Sequence, residues 1–106
     1  MAELRISLYG KEGCGKCQAA KKKLAFFLDK WNLNGQVEFA YWDLDTEEGL
    51  TEASFNDVVD IPTVVLERGG RSLARWDGRA PDSQELLLCI QSSIGASLAQ
   101  NSAPAK

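Results

Sequence analysis

The sequence predicts an α/β domain whose elements run β-α-β-α-β-β-α, folded as a mixed four-stranded sheet with helices on both faces. Residues 4–9 alternate apolar and polar side chains with the period of two of a strand. From Cys14 onward the apolar positions recur in steps of three and four, which places them on one helical face. Further on, Gly69 and Gly70 stand between two strand-like runs, as in a tight hairpin. The strand-helix-strand unit implies a parallel pair and the hairpin an antiparallel one, so the sheet is mixed.

The first strand, Leu-Arg-Ile-Ser-Leu-Tyr, ends where Gly10 and Gly13 break the alternation. The helix that follows gathers Cys17, Ala20, Leu24, Phe27, Leu28 and Trp31 on one face and leaves Lys21, Lys22, Lys23 and Lys30 mostly on the others. It should stop in Asn32-Leu33-Asn34-Gly35, where asparagine and glycine favour a C-terminal cap or turn. Residues 36–45 read as a second strand through Val37, Phe39, Tyr41 and Leu44. Residues 46–55 suit a short helix, opening on Thr-Glu-Glu with acids at its positive end. Residues 60–67 form a strand entered through Pro62, and Ser72 to Trp76 return as its hairpin partner. Asp82-Ser83-Gln84-Glu85 resembles a capping box, followed by the stripe Leu86, Leu87, Ile90, Ile94 and Leu98 of a last helix.

With 106 residues, 44% hydrophobic and 25% charged, the chain has apolar material for one modest core. A single domain over residues 1–100 with a frayed tail at 101–106 is expected. No run approaches the roughly 20 apolar residues of a membrane helix, and no basic-then-apolar leader opens the chain. A cytoplasmic protein without a membrane partner is expected. The net charge is −3, with seven Lys/Arg against six Asp/Glu in residues 1–45 and five against nine in residues 46–106. Without a basic excess or stripe, no nucleic-acid partner is expected. The absence of histidine excludes Ser-His, Cys-His and His-metal chemistry.

Three cysteines carry the chemical signal: Cys14 and Cys17 in Cys-Gly-Lys-Cys, and Cys89 far downstream. An odd count does not fit a secreted disulfide framework. One Cys-x-x-Cys reads as a redox dithiol or as half of a metal site. Cys14 falls where the predicted strand passes into the first turn of the helix, where free N–H groups and the helix dipole stabilise a thiolate, the reactive form. Lys16 adds a positive charge between the sulfurs, and Lys11 lies nearby on the loop. Cys17 comes one turn later on the same side, so a 14–17 disulfide is geometrically reasonable. Its expected role is to resolve a mixed disulfide formed on Cys14.

Gly13-Cys14-Gly15-Lys16-Cys17 opening a helix, joined to Ile61-Pro62-Thr63 at the head of a later strand, resembles the thioredoxin-like superfamily across residues 4–98. The resemblance implies a thioredoxin- or glutaredoxin-like thiol–disulfide oxidoreductase, with Cys14 as nucleophile and Cys17 as resolving thiol. Gly15 and Lys16 would support the pair. It also implies a cis Ile61–Pro62 peptide lying against the dithiol, with Ile61, Pro62, Thr63 and Gly78 lining the substrate site; X-Pro bonds are where cis peptides occur. A disulfide-bearing protein or small molecule is the implied substrate, a reductase or glutathione the electron donor. No cofactor or metal is expected, and the protein should be a monomer.

Neither subfamily pattern is complete. Thioredoxins carry an additional N-terminal strand and helix, Trp-Cys-Gly-Pro-Cys and a buried Asp six residues before the first cysteine. Here only three residues precede the first strand, Gly13 replaces the Trp, Lys16 the Pro and Leu8 the Asp. Glutaredoxins carry Cys-Pro-Tyr-Cys and a Gly-Gly element that grips glutathione, against Asp77-Gly78-Arg79 here. Without the Asp, Glu12, the Lys16 amine or water is left to take the Cys17 proton. Lys16 favours the thiolate, which sets the expected couple between about −270 mV for thioredoxin and about −200 mV for glutaredoxins.

The competing function is a binding module, a dimer holding zinc or an iron–sulfur cluster through shared Cys-x-x-Cys pairs; a closed zinc site takes four ligands. A third is an adaptor whose dithiol no longer turns over. Cys89, within Leu-Leu-Leu-Cys-Ile, reads as a small core residue. Lys21-Lys22-Lys23 reads as a solvated face, or as a docking patch for an acidic reductase. Trp31, Trp42 and Trp76 read as core or half-buried residues, Trp76 with a possible place beside Gly78.

Overall fold

The computed structural model describes residues 4–98, with side chains through residue 93. The elements are β1 (Leu4–Gly10), α1 (Gly15–Lys30), β2 (Val37–Asp43), α2 (Glu47–Phe55), β3 (Thr63–Arg68), β4 (Arg71–Asp77) and α3 (Ser83–Leu98). Their order is the expected one. The tail read at 101–106, the end of the domain read at 1–100 and the side chains of Ile94 and Leu98 lie outside what is described.

The strands form one sheet in the order β2-β1-β3-β4. β1 and β2 run parallel, whereas β1–β3 and β3–β4 are antiparallel. Period-two alternation along β1 and β3 divides the apolar side chains between two faces. Leu4, Ile6, Leu8, Val64 and Leu66 meet Leu24 and Leu28 of α1 and Leu86 and Ile90 of α3 in the main core. Tyr9 and Val65 pack on the other face with Ala53 of α2. Each buried Leu or Ile contributes roughly 1.5–3 kcal/mol, so both faces of β1 and β3 need their helical cover.

Local chemistry fixes the element ends. The Thr46 hydroxyl accepts from the Gly49 N–H at 3.0 Å and caps α2, with Glu47 and Glu48 in its first turn. Ahead of α3, Asp82 Oδ1 accepts from the Glu85 N–H at 2.8 Å and Glu85 Oε1 from the Asp82 N–H at 3.1 Å. This is a reciprocal capping box with Asp at its head. Past Trp31, the C-cap of α1, Asn32 takes φ +57° while Leu33 N–H reaches back to the Leu28 carbonyl at 2.9 Å. The left-handed position is thus Asn32, with Gly35 three residues further on. Gly69 and Gly70, at φ +55° and +85°, make the two-residue hairpin turn that Cβ-bearing residues disfavour.

Two expectations shift. The strand read from residue 60 starts at Thr63, because Asp60-Ile61-Pro62 is a loop held by the Thr63 hydroxyl, which donates to the Asp60 carbonyl at 2.6 Å. Cys89 is half-buried at the margin of the core, beside a cleft between α3 and the β3–β4 hairpin.

Candidate active site

The register of three strands assembles the site. Tyr9 of β1 pairs with Thr63 of β3, and Thr63 with Asp77 of β4. What lies just beyond this row therefore shares one end of the sheet: Gly10 and the loop to Cys14, Pro62 ahead of β3, and Gly78 after β4. β2 ends beside them, with Gly10 opposite Asp43.

Cys14 is the N-cap of α1, its backbone extended (φ −95°, ψ 113°) and its N–H given to the Lys11 carbonyl at 3.2 Å. Its sulfur accepts from the Cys17 N–H at 3.1 Å, one of the donors a helix leaves free at its start. A sulfur in the N-cap seat thus faces the positive end of α1. Cys14 and Cys17 are joined as a disulfide, with Cα atoms 5.2 Å apart. The two are not equivalent. Cys14 is partly open to solvent, whereas Cys17 is 0% exposed. Cys17 is covered by Gly10, where a Cβ would stand 2.8 Å from the Cys17 sulfur and 3.6 Å from the Tyr41 hydroxyl.

The Tyr41 hydroxyl accepts from Gln18 Nε2 at 3.3 Å, and the same amide nitrogen donates to the Lys11 carbonyl at 3.0 Å. Burial holds the Tyr41 phenol above its ordinary pKa against the opposing pull of that hydrogen bond, so it is a neutral hydroxyl near pH 7. Lys21 Nζ lies 4.4 Å from the Tyr41 ring centroid. Lys11 turns to Asp45, 3.9 Å away.

The Ile61–Pro62 peptide is cis. Pro62, Gly78 and Lys16 line one open groove, about 320 Å³, together with Ala19, Ala20 and Lys23 of α1 and the following turn at Arg79 and Ala80. Ile61 is half-exposed. Thr63 is fully buried, its hydroxyl turned back to the Asp60 carbonyl, so its side chain braces the Pro62 loop and stays out of the groove. Gly15 opens α1 with empty space where a side chain would stand. Trp76 is 8% exposed within the main core and does not line the groove. Among the described residues, no cluster of three His, Cys, Asp or Glu side chains is placed to hold a metal. No helix among them is long and apolar enough to cross a membrane.

Gly10 and Tyr41 were not placed at the site by sequence reasoning, and Lys23 was read only with Lys21 and Lys22 as a solvated face or docking patch. Lys23 was legible: residues 16, 20 and 23 follow the spacing of one helix face. For Gly10 and Tyr41 the signal was the β1–β2 register, which only the fold supplies.

No protein-family model and no curated protein matches the sequence. Solved structures do match. Thioredoxin-2, a component of malaria parasite protein secretion machinery, superposes with a TM-score of 0.70 at 22% identity, covering 84% of this chain and 82% of that one. Mitochondrial thioredoxin 3 of Saccharomyces cerevisiae gives 0.67 at 21% identity, over 87% and 80% of the two chains. Thioredoxin 1 of Thermosipho africanus gives 0.70 at 17% identity, over 88% and 97%. The four-stranded mixed sheet with three helices is therefore the thioredoxin-like fold, and this chain carries a Cys-x-x-Cys pair at the head of its first helix.

Proposed function

We propose that the protein is a thiol–disulfide oxidoreductase that reduces disulfides through Cys14 and Cys17. The observation that carries this reading is the unequal exposure of the pair at the start of α1: an accessible sulfur capped by a helix N–H, backed by a buried one. In the reduced protein the Cys14 thiolate attacks one sulfur of a substrate disulfide, forming a mixed disulfide and expelling the first substrate thiolate. The Cys17 thiolate then attacks the Cys14 sulfur, which forms the 14–17 bond and releases the second substrate thiol. Two electrons pass to the substrate, and a dithiol reductase or glutathione restores the pair. Pro62 and Gly78, which line the groove, supply with the adjoining Ile61 the wall against which the substrate chain lies, and Lys16 supports the Cys14 thiolate by its charge.

The test is a redox equilibrium. The protein is held across a series of thiol/disulfide buffers, quenched with an alkylating agent, and the mass of the Cys14–Cys17 peptide is read. A single two-electron transition between about −280 and −200 mV is expected. Absence of a reversible 14–17 disulfide over that range overturns the reading.

A further inference from the structure

We infer that the groove beside the dithiol selects protein substrates whose disulfide is flanked by acidic residues. This rests on the oxidoreductase reading and adds the substrate class to it. The groove is lined by the small side chains of Ala19 and Ala20 on α1 and by Pro62 and Gly78 from the loops beside it. Two of its cations, Lys16 and Lys23, stand on α1. Lys16 and Lys23 are seven residues apart, about 10 Å along a helix. Neither is ion-paired with a described residue, whereas Arg79 across the groove is held by Glu85 at 2.9 Å. Lys23 lies 5.8 Å from the Phe27 ring, a contact that leaves the ammonium free for an anion. Among the residues that line the groove, the unmatched charge is thus positive and carried by α1.

The groove is open along its length, unlike the enclosed pockets that bury most of a small ligand, and so suits an extended chain. A strand rises about 3.3 Å per residue and turns alternate side chains to one face, so same-face substrate side chains two to four residues apart bracket the distance between the two lysines. A carboxylate near the substrate cysteine meets Lys16, and another on the same face, two or four residues further on, meets Lys23. Beside Gly78 stands the exposed Asp60: a Cβ on Gly78 would lie 3.7 Å from Asp60 Cβ. A basic flank entering along the α1 rim meets two like charges, so the groove both attracts acidic segments and turns basic ones away.

The experiment compares disulfide-linked dimers of short peptides bearing Glu, Gln or Lys next to the cysteine and at the second and fourth residues beyond that position. Flanking charge also changes intrinsic thiol reactivity, so each kcat/KM is divided by the rate of the same peptide with dithiothreitol. The Glu peptides are expected to be favoured over the Lys peptides about tenfold in low salt, and the ratio to fall as ionic strength rises. Lys23→Glu should bring the ratio to one or below, and Lys23→Gln to an intermediate value. Lys16 is left unaltered because a change there also acts on Cys14. Equal normalised rates in the unaltered protein, a preference for Lys peptides, or a ratio that Lys23→Glu does not move would each overturn the inference. Those outcomes keep the oxidoreductase reading so long as the Gln peptide is reduced. No reduction of any of the peptides would overturn both.

Discussion

Gly10 and Cys17 are in backbone-to-sulfur contact: a Cβ on Gly10 would lie 2.7 Å from the Cys17 Cβ and 2.8 Å from its sulfur. β1 therefore meets the first turn of α1 at a point with no room for a side chain. Gly10→Ala forces strand and helix apart and is expected to cost about 1–3 kcal/mol, read by chemical denaturation. Because the displaced atom is the buried sulfur, release of substrate from the mixed disulfide should slow more than the first attack by Cys14. Stopped-flow measurement of the two phases checks this; equal slowing of both would show that Gly10 acts on the fold alone.

Replacing each cysteine separates the two proposed roles. Cys14→Ser is expected to abolish disulfide reduction, since the exposed nucleophile is gone. Cys17→Ser should accumulate mixed disulfides on Cys14, detectable as a mass increase by the substrate half. Both variants are best made with Cys89→Ser, which removes the half-buried third thiol from the assay. A Cys17→Ser protein that traps nothing would remove Cys17 from the resolving role.

Stability should depend on pH at both extremes. The Glu85 carboxyl is drawn down to about 2 from 4.5, first by the hydrogen bond from Arg79 and next by the Asp82 N–H. A depressed folded value contributes stability above the unfolded pKa, lost as pH falls from about 4.5 through about 2. The pair is open to solvent, so the effect is small and falls with salt. Tyr9 is raised from 10.0 to about 12, first by burial and then by the nearby charges of Glu67 and Glu52. Its neutral form is favoured in the fold, so its contribution is full below pH 10 and disappears as pH rises through about 12. Denaturation midpoints across pH should show both limbs. Glu85→Gln should flatten the acid one and Tyr9→Phe the alkaline one.

The helix that carries the dithiol also carries much of the core. Leu24→Ala should cost about 2–5 kcal/mol, the range for truncating a fully buried leucine. Phe26→Ala, on the exposed face two residues away, should change stability by less than about 0.5 kcal/mol. Equal effects would mean that α1 is not packed through Leu24.

Where local periodicity decides structure, the sequence was sufficient. Three- and four-residue steps placed Ala20, Leu24 and Leu28 inward, and Asp82 with Glu85 marked the start of α3. The dithiol was legible because its chemistry lies within four residues. What escaped depends on particular side-chain contacts. The hydroxyl of Thr63, donated to the Asp60 carbonyl, is one such contact. Trp76 could stand beside Gly78, but alternation along β4 turns it into the core. Three consecutive lysines read as one patch, whereas the helix sends Lys21 to Tyr41 and Lys23 to the groove.

The burial of Cys17 against Gly10 also closes a thermodynamic cycle. Oxidation and folding share four states, so the difference in unfolding free energy between disulfide and dithiol forms equals the shift in reduction potential between the folded and unfolded chain. About 1.4 kcal/mol corresponds to about 30 mV for this two-electron couple. Two denaturation curves, one on each redox form, therefore yield that shift without a redox buffer. A change such as Leu24→Ala, which loosens both forms alike, should leave it in place. A change at Gly10 presses on one sulfur and should move it, which makes a backbone position in β1 a control on the poise of the couple.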